Sequence, residues 1–156
     1  MADAAREQML KQVAADLVSL IDGTGNYEYD LKSVYRDVAS LAQLRANLPC
    51  AVFIELEEGT AEETTDGDHV DADLTILVYL LNDVAKDAAT QLNNMQADLY
   101  RAMRSGVNQY HSNTTIMVHY EGADRLSTRE AKIIAIETRW RIRYGLKRSE
   151  PTSFHN

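Results

Sequence analysis

The sequence is short of the residues that build disulfide scaffolds, zinc sites and membrane spans. Its 156 residues include one cysteine and four histidines, and the histidines do not have the spacing of a zinc site. Cys50 cannot form an internal disulfide, and its position at the head of an apolar run predicts a buried structural thiol. The longest apolar stretch, residues 74–81, is far below the roughly 20 residues that span a bilayer. The N-terminus has an amphipathic pattern rather than that of a signal peptide, so we expect no membrane segment.

Motifs that mark catalysis or metal binding are also missing. The chain has no Gly-rich phosphate loop, no GxSxG elbow and no HExxH pair. The acidic run "TTDGDHVDAD" contains four aspartates, but their spacing does not fit an EF-hand loop. We therefore predict no catalytic residues, no metal and no cofactor, and we expect a protein that is not an enzyme.

Charge is distributed unevenly along the chain, whose formal net charge is -8. Residues 55–73 include nine acids and no lysine or arginine, whereas residues 137–148 include five bases and one acid. The chain outside residues 137–148 has 11 bases and 23 acids. An acidic surface of this kind repels phosphates, which argues against a protein whose task is to neutralise nucleic acid.

Hydrophobic periodicity predicts a single α+β domain over residues 1–147, followed by a flexible tail at residues 148–156. Helical patterns cover residues 3–21 and about 83–105, with a helical turn or two at 38–48. Alternating patterns predict a short strand at 31–36 and strands in "CAVFIELE", "VDADLTILVYLL", "TTIMVHY" and "KIIAIETRWRIRYGL". We expect an antiparallel sheet of about four strands with helices packed on one face. Residues 57–70, which are dense in charge, are predicted to form a mobile loop between two paired strands.

Alternation also assigns side chains to the two faces of the sheet. Trp140 falls on the apolar face of the last strand, whereas Arg139, Arg141 and Arg143 fall on the opposite, charged face. On the first hairpin, Cys50, Val52, Ile54 and Leu56 are assigned to one face of the first arm, and the acids between them to the other. We predict that the three arginines meet carboxylates of the same chain or of a neighbouring subunit. The candidate partners are Glu55, Glu57, Asp71 and Asp73.

A nucleic-acid strand is the alternative partner for these arginines. Surfaces that bind single-stranded nucleic acid usually interleave exposed aromatic side chains with basic ones. Here Trp140 and Tyr144 are predicted to be buried, which favours carboxylates as the partners.

In the order of its parts, the chain resembles the tail terminator, or tail-completion, proteins of long-tailed bacteriophages. The shared features are an N-terminal amphipathic helix, a strand introduced by proline in "LPCAVFIELEE", the stretch "ADLTILVYLLND" followed by a long helix, and a closing strand "ETRWRIRYGL". The resemblance covers roughly residues 5–147.

This resemblance implies a structural virion protein. Such proteins form a homo-oligomeric ring, typically a hexamer, on the last ring of tail tube protein. The ring ends tube polymerisation and presents a surface to a head-completion or connector protein, and DNA passes through it without specific binding. The implied location is the head-proximal end of the virion tail, after assembly in the host cytoplasm. Another small head-tail connector or tube-like virion component is the first alternative, and a nucleic-acid-binding module that uses the arginine strand is the second.

Overall fold

The structure, a computed structural model, describes residues 4–36, 40–65, 67–107, 117–126 and 132–147. Its elements in chain order are helix α1 (Ala5–Leu20), strand β1 (Ser33–Tyr35), helix α2 (Leu41–Ala46), strands β2 (Cys50–Glu63) and β3 (Gly67–Leu81), helix α3 (Ala88–Arg101) with a π-helical continuation (Ala102–Val107), and strands β4 (Met117–Leu126) and β5 (Ile133–Lys147). The tail predicted at residues 148–156 lies outside the described residues. No helix in the described part of the chain is long and apolar enough to cross a membrane.

The strands form one sheet in the order β1-β2-β3-β5-β4. β1 runs parallel to β2, and every other neighbouring pair is antiparallel. The predicted α+β fold is therefore confirmed, with five strands rather than about four. Since β1 pairs with only three residues of β2, Cys50 to Val52, the rest of β2 is an edge of the sheet. β4 forms the opposite edge.

The main core lies between the sheet and a layer of α1, α3 and the π-helical continuation. Alternate residues of β3 and β5 point into it, as the pattern predicts, and Trp140 is only 1% exposed. Trp140 Nε1 donates a hydrogen bond to Thr138 Oγ1 at 2.8 Å, and this hydroxyl donates to the Ile76 carbonyl at 2.9 Å. The buried polar groups of β5 are thus satisfied inside the core.

A second, smaller apolar cluster lies on the other face of the sheet. Cys50 and Val52 are buried there against Leu44 of α2, so this helix covers the face opposite α1 and α3. Burial raises the pKa of the Cys50 thiol to about 11, in line with the predicted structural role. The residues of β2 that face the main core are Ala51 and Phe53. Of the four residues predicted to form the apolar face of this strand, only Cys50 and Val52 are buried. Ile54 and Leu56, which lie beyond α2, are 40% and 48% exposed.

The hairpin of β2 and β3 is longer than the sequence indicates. Residues 57–70 were predicted to be a mobile loop, but pairing between the strands continues to Glu63 and Asp68. Beyond this pairing, the Thr64 N–H donates to the Gly67 carbonyl at 2.8 Å. The prediction was wrong because both faces of this segment are polar, so no alternation of apolar and polar residues marks it as a strand.

Helix α3 begins later than the sequence predicts. The sequence predicts a start at about residue 83, but Asp87 caps the helix by accepting a hydrogen bond from the Ala89 N–H. The preceding turn is instead organised by the buried side chain of Gln91, which donates to Asn82 Oδ1 at 3.0 Å and accepts from the Asp83 N–H at 3.0 Å. Val84, which lies within the predicted helical range, is 94% exposed in this turn.

Candidate interaction surface on the sheet

The ladder face is the side of the sheet opposite α1 and α3 that bears Arg139, Arg141 and Arg143. These side chains share one face because β5 is regular along its length and alternate residues point the same way. The antiparallel register with β3 places Asp71 opposite Arg143 and Asp73 opposite Arg141. The strand order therefore sets two acids directly beside two of the arginines.

Arg143 and Asp71 form the best-ordered pair of the ladder face. Arg143 donates from Nε and Nη2 to the two carboxylate oxygens of Asp71, at 2.8 and 3.2 Å. In this bidentate geometry, two N–H groups of the planar guanidinium bind the two oxygens of the carboxylate. Hydrogen bonding from Arg143 lowers the pKa of Asp71, and the same bond raises the pKa of Arg143.

The other two arginines also hold carboxylates. Arg141 donates from Nε to Asp73 at 3.2 Å and lies 3.6 Å from a carboxylate oxygen of Glu121. Arg139 donates from Nη1 to Asp124 at 2.6 Å. The two partners contributed by β4 were not predicted, because sequence alone does not reveal which strand lies beside β5 or in what register.

A glycine makes room for Arg139. Gly122 lies opposite Arg139 at an irregularity in the pairing of β4 with β5, and its φ is +136°. A Cβ atom built at this position would lie 2.8 Å from Arg139 Nη2. The missing side chain allows the guanidinium to lie along β4 on its way to Asp124.

Of the four predicted acidic partners, the structure brings two to the arginines as ion pairs. Asp71 and Asp73 are those two, and Glu57 borders a shallow cleft that Asp71, Asp73 and Arg141 also line. Glu55 was placed on the wrong face. It pairs across from Leu74, on the side of α1 and α3, and its carboxylate contacts Arg36 at 3.2 Å.

Glu55 belongs to a separate ionic cluster at the N-terminus of α1. Arg6 lies 3.7 Å from Glu55 and 3.6 Å from Glu58, and Arg36 contacts Glu7 at 2.6 Å. The Tyr144 hydroxyl donates a hydrogen bond to Glu58. The register of β2 with β3 is unbroken from Cys50 to Glu55, so Glu55 shares the face of Ala51 and Phe53. It was misassigned because Cys50 and Val52 are buried under α2, on the face opposite the main core.

On the ladder face, the positive charges of the arginines are compensated by neighbouring carboxylates. Every arginine of the ladder is within hydrogen-bond distance of a carboxylate of the same chain, so little net positive charge remains for a phosphate. Trp140 and Tyr144, which could stack on bases, are each 1% exposed and lie on the other face. Within the described residues, no group of three or more His, Cys, Asp or Glu side chains is placed to hold a metal ion. A role for the ladder in a subunit interface stays a prediction.

Comparisons with known proteins give a similarity among solved structures but not among protein families or curated proteins. No family model matches the sequence, and no curated protein matches it. Among solved structures, the chain is similar to a chain described as "Virion of native gene transfer agent (GTA) particle". The two are 20% identical, the TM-score is 0.47, and the match covers 90% of this chain and 93% of the other.

Proposed function

We propose that this chain is a structural virion protein of a tailed bacteriophage or a phage-like particle. More specifically, we propose that it is a tail terminator that forms a ring on the end of the tail tube, ends its polymerisation and presents a surface for joining the head. The sequence resemblance suggests this role. The partners in the proposal are further copies of the chain, the tail tube protein and a head-completion or connector protein.

The observation that supports an assembly role best is the internal neutralisation of the ladder face. A long sheet whose exposed face is cross-linked by ion pairs suits a stiff structural part, because each strand is held in register by its neighbours. Cross-strand charge pairs contribute only about 0.2–1 kcal/mol each, so their main effect is on pairing rather than on stability.

Acidic composition supports the passage of DNA without binding. With a formal net charge of -8 for each chain, a ring would have a strongly acidic surface. Such a wall repels the phosphate backbone and lets a genome slide through without sticking. The ion pairs of Arg139, Arg141 and Arg143 likewise weigh against a nucleic-acid-binding module.

Electron microscopy with tail tubes tests this proposal. Negatively stained protein, mixed with tubes grown from the tail tube protein of the same particle, should give a ring at one end of each tube and tubes that stop lengthening. The alternative, a tube-like component, would itself add to the tubes and make them longer. Tubes that stay bare and keep growing in the presence of the protein would refute the terminator role.

A further inference from the structure

The arginine ladder has little uncompensated charge to offer a neighbouring subunit, since each of its arginines is paired with a carboxylate of the same chain. Closed rings are built from head-to-tail contacts, in which two different patches on one subunit meet their counterparts on the next. Uncompensated charge lies instead at the two edges of the sheet.

One edge is acidic and exposed. All side chains of β2 from residue 54 to residue 63 are exposed, and β1 pairs with none of these residues. Glu57, Glu62 and Glu63 add negative charge to this strand, and Ile54 and Leu56 add exposed apolar surface beside it. We call residues 54–63 the acidic edge.

The opposite edge is basic. A groove on the outer side of α3 is lined by Asn93, Gln96, Ala97, Tyr100, Arg101 and Ser105. It lies at the β4 edge, because Gln96 donates to the Tyr120 hydroxyl at 2.8 Å and Arg125 of β4 donates to Asn93 Oδ1 at 2.7 Å. Tyr100 is 45% exposed in this groove. We call it, together with Arg104 and Arg125, the basic groove.

Arg104 and Arg125 bind neutral partners, unlike the arginines of the ladder, whereas Arg101 lies 3.5 Å from a carboxylate oxygen of Asp98. Arg125 donates to the amide oxygen of Asn93, and Arg104 donates to the backbone carbonyl of Val118. Residues 88–107 contain a single acid, Asp98, which is 2% exposed and accepts hydrogen bonds from the Glu28 and Tyr29 N–H groups. Within the described part of this surface, the positive charge of Arg104 and Arg125 is therefore available to another molecule.

We propose that the acidic edge of one copy of this chain docks into the basic groove of the next copy. The inference builds on the proposed ring but concerns the contact between subunits, not the cap on the tube. Complementary charge steers the encounter, and contact of Leu56 with Tyr100 supplies apolar burial. Since the two patches lie at opposite edges of one sheet, each subunit can use both at once, as a closed ring requires.

Cross-linking of cysteine variants tests the geometry. Ala61→Cys lies in the acidic edge and Ala97→Cys in the basic groove, and native Cys50 is buried and does not compete. A short bis-maleimide should link a mixture of the two single variants into dimers and the double variant into longer chains. Each single variant alone should give no linked dimer, because a head-to-tail contact never brings identical residues together. Val84→Cys, at an exposed position outside both patches, is the matched control and should not link to either.

Charge reversal provides an independent measurement. The triple variant Glu57→Lys, Glu62→Lys, Glu63→Lys and the double variant Arg104→Glu, Arg125→Glu should each associate at least about tenfold more weakly than the wild type in sedimentation experiments. A mixture of the two should recover association, because each reversed patch then meets a complementary one. Circular dichroism checks that each variant is folded.

Three results would overturn this inference: a wild type that stays monomeric, a mixture of Ala61→Cys and Ala97→Cys that does not link, or linked dimers of one single variant alone. Rings that cap tubes without the cross-link would refute the contact and leave the proposed function standing. Cross-linked oligomers that leave tubes uncapped would support the contact and refute the proposed terminator function.

Discussion

A single glycine limits how Arg139 can be placed. The close approach of Arg139 Nη2 to Gly122 and the positive φ of this residue are two separate reasons for glycine at this position. We expect Gly122→Ala to destabilise the protein by about 1–3 kcal/mol, because alanine is strained at this φ and its methyl group displaces the guanidinium. Urea unfolding followed by circular dichroism measures the change.

Gly59→Ala is the matched control, since a Cβ atom there meets nothing within 4 Å and the φ of Gly59 is not in the left-handed region. It should leave the free energy of unfolding nearly unchanged. Adding Arg139→Ala to Gly122→Ala should recover the part of the loss that comes from the clash. Equal effects of the two glycine substitutions would contradict this account.

At the scale of the element, the β2 and β3 hairpin should be protected from hydrogen exchange to near its turn. Asp68, His69 and Val70 of β3 pair with β2 on one side and with β5 on the other. We expect their amides to exchange much more slowly than those of residues 83–86, which are exposed before α3. Mass spectrometry of peptides after exchange in heavy water can compare the two segments. Equally fast exchange in both segments would instead support the mobile loop that the sequence predicts for residues 57–70.

The pairing of β3 with β5 through Asp71 and Arg143 should depend on pH. Because the pKa of Asp71 is lowered in the folded protein, its contribution to stability is present above the unfolded pKa, about 3.9, and is lost as the pH falls through the folded value. A double-mutant cycle with Asp71→Asn and Arg143→Gln should give a coupling free energy of about 0.2–1 kcal/mol at pH 7, since the pair is partly exposed.

The same cycle, repeated at decreasing pH, should give a coupling that shrinks below about pH 4. A cycle with Lys32 and Asp30, an exposed pair outside the ladder at 2.5 Å, serves for comparison. A coupling between Asp71 and Arg143 that is unchanged when Asp71 is protonated would show that packing, not charge, links them.

Sequence patterns predicted the elements that carry a clear apolar period and missed those that do not. Alternation in β3 and β5 correctly buried Trp140 and placed Asp71 and Asp73 on the face of the arginines. It failed for Glu55, because the alternate apolar residues Cys50 and Val52 are buried under α2 rather than in the main core, which places Glu55 on the side of α1 and α3. Asp124 and Glu121 could not be found at all, since neither composition nor period reveals the register of β4 against β5.

At the scale of the whole molecule, the neighbours that a charged residue has in the fold decide the surface charge more than the clustering of like charges in the sequence. The five bases of residues 137–148 are the most concentrated in the chain, yet the arginines among them that the structure describes are held by carboxylates. The sequence does not group the arginines near α3, because Arg125 is 21 residues away from Arg104 in the chain. Folding brings Arg101, Arg104 and Arg125 to one edge of the sheet, and this is how the molecule comes to have an acidic edge and a basic one.

The last prediction concerns the three ladder arginines together. Reversing Arg139, Arg141 and Arg143 to glutamate places like charges opposite Asp71, Asp73 and Asp124, so we expect a less stable protein, measured by thermal unfolding. Restoring opposite charge with Asp71→Arg and Asp73→Arg should recover part of the loss. The wild type and the reversed variant should both fail to retain DNA on a filter at low salt, because the ladder arginines are already paired in the wild type and the chain has a formal net charge of -8. If the wild type instead binds DNA with a salt-dependent affinity that the reversal abolishes, phosphates displace the carboxylates of the ladder, and the chain is a nucleic-acid-binding protein.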